Sequence, residues 1–273
     1  MTLDAVRSRG LFLLGCGKMG SAMLKGWLDQ GIAPSAVWVL EPSPSNWVRG
    51  LAEQGLHLNE GVPDVPAIAL LAVKPQMMGD ALAPVSALGG GQTVILSIAA
   101  GTPIHYFEQM LGAATPIVRA MPNTPAAIGR GITALTGNAA ASEADLSLAE
   151  TLLSAIGQTV RLDGEHQMDA VTAVSGSGPA YVFHLIETLA AAGEAEGLPP
   201  DLALHLARAT VAGAGALAEA SEDTPAQLRV NVTSPGGTTA AALGVLMDPE
   251  AGFPPLLKRA VKAAADRGRE LAG

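Results

Sequence analysis

The sequence predicts a doubly wound parallel α/β domain followed by an all-α domain, on three observations. Short apolar runs alternate with amphipathic stretches up to about residue 163, a glycine-rich turn follows the first run, and beyond residue 165 only helical pattern remains. Runs that are apolar at every position, separated by helical segments, are strands of a parallel sheet covered on both faces. With 273 residues, 49% of them hydrophobic, the chain suffices for two ordinary domains with a sizeable core. The expected boundary puts the α/β domain at residues 1–164 and the helical domain at 165–273.

The expected strands are Leu11 to Leu14, Val37 to Leu40, Ala67 to Val73, Val94 to Ile98, Ile117-Val118, Ile132 to Leu135 and Thr159 to Leu162. The helices expected after them are Pro179 to Glu196, Asp201 to Ala220, Thr224 to Val232, Gly237 to Met247 and Phe253 to Leu271. Gly197-Leu198-Pro199-Pro200 and Asp248-Pro249-Glu250 punctuate them. Aromatic residues make up only 3% of the chain, so its helices pack through Ala and Gly. Helix 201–220 is apolar over more than one face, which calls for neighbours on every side and predicts a homodimer or larger assembly built on this half.

A net charge of −9 leaves no basic stripe, which argues against nucleic acid and anionic membrane surfaces and in favour of small molecules. The single cysteine, Cys16, forbids an internal disulfide, and no Cys/His spacing suits a metal. No apolar run approaches the ~20 residues of a membrane span, and Met1 to Gly10 lacks a signal core, so a cytoplasmic protein is expected.

Gly15-Cys16-Gly17-Lys18-Met19-Gly20 follows the first strand and opens a helix. This is the G-x-G-x-x-G arrangement of a Rossmann dinucleotide site in its required context. Gly15 makes the turn, Gly17 admits a pyrophosphate, and Gly20 packs helix on strand. Glu41 ends the second strand 21 residues after Gly20. Its carboxylate suits the ribose hydroxyls of NAD and repels the 2′-phosphate of NADP, yet Ser43, Ser45, Asn46 and Arg49 follow at once and offer that phosphate partners, so NADH and NADPH both stay open. Asn59 is assigned to the same cofactor side.

Ligands of open α/β sheets bind outside the carboxyl ends of the strands, which brings in Ala72-Val73-Lys74-Pro75 and Ala99-Ala100-Gly101-Thr102. Lys74 reads equally as a cofactor neighbour and as a surface lysine ahead of a Pro75-started helix. In Ala120 to Pro125, Asn123 either fixes the nicotinamide ring or serves a loop shaped by two prolines. His166, His184 and His205 read as core or interface residues, and Cys16 as a space-filler.

Ser175-Gly176-Ser177-Gly178-Pro179-Ala180-Tyr181 starts the long helix 179–196, yet residues 175–190 contain no lysine to act as a proton donor. A protonated imine fits this lack, since it accepts hydride without a new proton. Asn231-Val232-Thr233-Ser234-Pro235-Gly236-Gly237-Thr238-Thr239 places two bare amides and two hydroxyls at a helix start, a form that binds a small carboxylate or is merely a capped entry.

In order and spacing, these motifs resemble those of pyrroline-5-carboxylate reductase over nearly the whole chain. The resemblance implies NAD(P)H-dependent reduction of L-1-pyrroline-5-carboxylate to L-proline, the last step of proline biosynthesis. It also implies an obligate dimer whose helical domains interlock and complete each other's sites. On the same footing the substrate carboxylate sits in the turn Ser234, Gly236, Gly237, Thr238. Thr239 bonds the ring nitrogen as the catalytic hydroxyl, Glu165 lies near the bound ring, and Asn231 lies near the junction of cofactor and substrate. Ser43 matches a serine at the ribose or its phosphate, and the family's common preference for NADPH slightly favours that cofactor; Glu41, at a family place that often holds a small or neutral residue, leaves NADH open. Rival readings are a reductase of another cyclic imine or keto acid and a non-catalytic dinucleotide sensor; the second anion site speaks against the sensor.

Overall fold

The computed structural model describes residues 2–271. Its first compact unit runs from the N-terminus to Gly176 and takes in the chain end from Ala265; the second is Ser177–Ala264. Packing thus divides the chain beyond the 164/165 change of pattern.

The first unit is an eight-stranded sheet in the order β3-β2-β1-β4-β5-β6-β7-β8. Its strands are β1 Leu11–Leu14, β2 Val37–Leu40, β3 His57–Leu58, β4 Ile68–Leu71, β5 Val94–Ser97, β6 Ile117–Met121, β7 Gly131–Gly137 and β8 Gly157–Arg161. All seven expected strands are present. The eighth, β3, is a two-residue, half-buried edge piece parallel to β2, too short and polar to announce itself.

The sheet is parallel, as expected, at every pairing but one: β7 runs antiparallel to β6. A parallel return needs a crossover of a dozen or more residues. Between Met121 and Gly131 the chain makes only the single 3₁₀ turn Thr124–Ile128, so it folds straight back.

Around the sheet lie α1 Thr2–Arg9, α2 Lys18–Asp29, α3 Asn46–Ala52, α4 Met78–Leu82, α5 Ile104–Leu111, α6 Glu143–Leu153 and α7 Met168–Val171. The first of these, α1, was not expected; its Val6 is fully buried. Strand residues alternate between two cores, as the pleat demands. Leu11, Leu13, Ile68 and Leu70 join Met23, Trp27 and Leu152 on one face; Phe12, Leu14, Ala69 and Leu71 join Met78, Leu82 and Phe107 on the other. The sheet is therefore covered on both sides, which is why its strands read as unbroken apolar runs.

The second unit contains α8 Gly178–Ala195, α9 Pro200–Ala220, α10 Pro225–Asn231, α11 Thr238–Leu246 and most of α12 Phe253–Leu271. All five expected helices form within about two residues of their expected ends. The buried cluster of this unit is only Ala190, Ala203 and Ala207, with Ile186 packed against it. Among the described residues no helix is long and apolar enough to cross a membrane.

Candidate active site

The glycine turn of the first unit is built by its three glycines in three different ways. Gly15 sits at φ +88°, and a Cβ there would stand 2.9 Å from Ala72 O and from Val73 Cγ1, so only glycine makes this turn against the end of β4. A Cβ on Gly20 would stand 2.4 Å from Gly15 O, fixing the close approach of α2 to the strand. Gly17 is the N-cap of α2; it lends no side-chain cap, and a Cβ there would meet nothing within 4 Å. The start of α2 is therefore an open cradle of backbone N–H groups at the positive end of a helix, which fits a pyrophosphate. Lys18 and Met19 form the first turn of α2.

Cys16 is buried and plays a structural part. Its carbonyl accepts from Ser21 Oγ at 2.8 Å, and its Sγ lies 3.4 Å from the same hydroxyl. Burial pushes its thiol up, the Glu41 charge adds to that, and the Ser21 hydrogen bond opposes it. A thiol so held is no nucleophile.

Glu41 is bound into the turn. Its Oε2 accepts from Cys16 N at 2.8 Å, and its Oε1 accepts from Ser43 N at 2.9 Å. Asn59, at φ +58°, grips the backbone of Glu41 on both sides: Oδ1 accepts from Glu41 N at 2.9 Å and Nδ2 donates to Glu41 O at 3.1 Å. Asparagine tolerates that left-handed conformation better than most residues. The structure thus gives Asn59 a role in holding Glu41. Beside the end of β2 opens a cavity whose lining includes Leu40, Val62, Pro63, Pro84 and Leu88, with the carboxylate residue Asp64 among them.

Lys74 is exposed and caps the 3₁₀ turn Pro75–Met77. Ala99 is buried, and Ala100 is exposed just before Gly101, which has φ +72°. Asn123 serves its loop: Nδ2 donates to Ser175 O at 3.1 Å and Oδ1 accepts from Ile132 N at 3.0 Å.

Glu165 is held by a residue that the sequence reading missed. Arg119, 5% exposed in the middle of β6, donates through Nη1 to Glu165 Oε1 at 2.6 Å, and the same oxygen accepts from Ile104 N, at the start of α5, at 2.8 Å. The signal was available: Arg119 is a cation inside an apolar strand, and such a residue is buried only with a partner.

In the second unit the turn before α11 has the expected form. Gly236 is at φ +70° with open space around its Cα, Gly237 N donates to Ser234 O at 3.0 Å, and Gly237 is the N-cap of α11 without a side-chain cap. Thr238 and Thr239 are the first two residues of α11, Thr239 half-buried. Ser234 is exposed. Asn231, at the end of α10, accepts from Gln227 Nε2 at 2.7 Å and donates to Asp223 Oδ2 at 3.2 Å.

Residues 165–271 match the family model described as pyrroline-5-carboxylate reductase dimerisation, and residues 11–101 match that of the coenzyme F420-dependent NADP oxidoreductases. A pyrroline-5-carboxylate reductase from Pseudomonas aeruginosa is 41% identical over 95% of each chain. The chain belongs to the pyrroline-5-carboxylate reductase family. A solved family structure from Coxiella burnetii is similar at a TM-score of 0.89 with 32% identity, covering 97% of this chain and 99% of that one. One from Plasmodium falciparum with NADP bound is similar at 0.82 with 29% identity, covering 98% and 99%.

Proposed function

We propose that this chain reduces L-1-pyrroline-5-carboxylate to L-proline with hydride from NADH or NADPH, as the last step of proline biosynthesis, and works as a homo-oligomer. Family membership supports the reaction. The observation that carries the reading within the structure is the start of α11, which no side chain caps and before which Gly236 leaves open space; Gly237 N is committed to Ser234 O, so the first N–H groups of the helix, at Thr238 and Thr239, are the ones left for a small carboxylate.

The bound cofactor supplies the hydride that C5 of the ring accepts. We assign its pyrophosphate to the N–H groups from Gly17 to Gly20, and its adenosine half to the end of β2 with the cavity beside it. The substrate carboxylate goes to Ser234, Gly236, Gly237 and Thr238. The protonated ring nitrogen donates to Thr239 Oγ1, which fixes the ring; as C5 gains hydride, the C=N π electrons become the nitrogen lone pair and no proton is needed from the protein. Catalysis then rests on positioning and on charge already in place. Glu165 has one oxygen committed to Arg119 and Ile104, which fixes its side chain in place. The helical half is completed by a second copy, and the cytoplasm is its compartment.

Incubation with pyrroline-5-carboxylate and either reduced cofactor, followed by nicotinamide absorbance and by proline formation, tests the reaction; no oxidation of either cofactor sinks it. Thr239→Ala should lower kcat/KM by about 10- to 100-fold, the loss expected of one hydrogen bond at the reacting atoms, without lowering the melting temperature. Unchanged kinetics would remove Thr239 from the mechanism.

A further inference from the structure

We propose that Glu41 sets the choice of cofactor and makes NADH the better partner of this chain; the proposal rests on the dinucleotide reading given above. Three features of the β2–α3 loop carry it.

The carboxylate is fixed in place. It holds Cys16 N with one oxygen and Ser43 N with the other, and Asn59 clasps its peptide from both sides. Turning it out of the site means giving up two charge-assisted hydrogen bonds.

What remains of its bonding capacity suits a ribose. An ionised carboxylate is an acceptor only, with about four lone-pair sites. Two are used by the backbone, and the others match the two O–H donors of an unphosphorylated adenosine ribose. A 2′-phosphate brings no proton to share at neutral pH and adds negative charge against a carboxylate that stays put.

The loop also withholds what a phosphate needs. Residues 41–46 read Glu-Pro-Ser-Pro-Ser-Asn, with no lysine or arginine. Pro42 and Pro44 have no N–H, and Ser43 N is spent on Glu41 itself. Ser45 Oγ faces Val48 N as the cap of α3. Arg49, raised in the sequence reading as a phosphate partner, lies outside this loop, exposed on α3. The Plasmodium falciparum relative was solved with NADP bound, so this chain would differ from that relative in its cofactor and not in its fold.

Calorimetric titration of the assembled protein with NAD⁺ and NADP⁺ reads the preference without turnover, and kcat/KM with NADH and NADPH reads it again in catalysis. Wild type should favour the unphosphorylated cofactor by at least about tenfold in both. Glu41→Ser should weaken NAD⁺ and strengthen NADP⁺, so that the ratio falls by about tenfold or more. Asn59→Gly, which keeps the backbone conformation but frees the Glu41 peptide, should shift the ratio in the same direction by less. Wild type that binds NADP⁺ as tightly as NAD⁺ overturns the proposal, whatever the variants do. So does an unchanged ratio in a Glu41→Ser protein that binds both. Binding of neither cofactor by wild type would instead overturn the dinucleotide reading on which the proposal stands.

Discussion

The two units of this chain bury their apolar residues to very different degrees. The first carries two cores, one on each face of its sheet, with Trp27, Phe12, Phe107 and more than thirty aliphatic side chains removed from solvent. The second has three alanines for a core, and leaves Phe183 58%, Leu206 46% and Leu217 55% exposed in the single chain. A helix apolar on more than one face needs more neighbours than α8 to α11 give one another. Labour is divided between them: the nucleotide-binding unit stabilises itself, whereas the helical unit is built to be finished by another copy. Its match to a dimerisation model agrees with that.

If the first unit is self-sufficient, its own core should govern its stability. Trp27→Ala removes a fully buried ring whose Nε1 donates to Leu152 O at 2.9 Å, tying α2 to α6. The expected cost is about 3–5 kcal/mol, seen as a lower denaturant midpoint whether the protein is dilute or concentrated. A midpoint that recovers on raising the protein concentration would mean that this unit too depends on assembly.

A smaller loss is expected from Arg119→Met, which leaves Glu165 without its cation. Breaking a fully buried pair costs about 3–5 kcal/mol; Glu165 keeps 31% of its side chain in solvent, so about 2 kcal/mol is expected here. Urea denaturation measures it, and a loss below about 0.5 kcal/mol would show the pair to be ornamental.

The smallest effect concerns Cys16, the only thiol in the chain. Its thiolate is disfavoured chiefly by burial, so alkylation should rise with pH about a midpoint above the ordinary thiol range near 8.5. Reaction as fast as that of an exposed cysteine at neutral pH would mean that the turn opens readily.

Much of this was legible in the sequence, for a physical reason. Strands buried on both faces are apolar at every position, and Gly15, Gly17 and Gly20 announce a turn no other residues make. The helices of the second unit were equally plain, because Pro200, Pro225 and Gly197 mark their starts and stops. What escaped depends on pairings between distant residues. The reversal of β7 depends on a link too short for a crossover, the edge strand β3 has no apolar face of its own, and Arg119 meets Glu165 46 positions away. Asn59 could be assigned to the cofactor side, but that it works by clasping Glu41 emerges only when β2 and β3 lie side by side.

The division of labour is tested most directly by Leu206→Glu, which puts a charge on the exposed apolar surface of α9, in the second unit. Sedimentation, NADH binding and pyrroline-5-carboxylate reduction would be measured on the same sample. The expected result is a species of a single chain's mass, 27.5 kDa, that binds NADH as tightly as wild type and reduces the imine at least about 100-fold more slowly. A single chain that reduces the imine at the wild-type rate would contradict it.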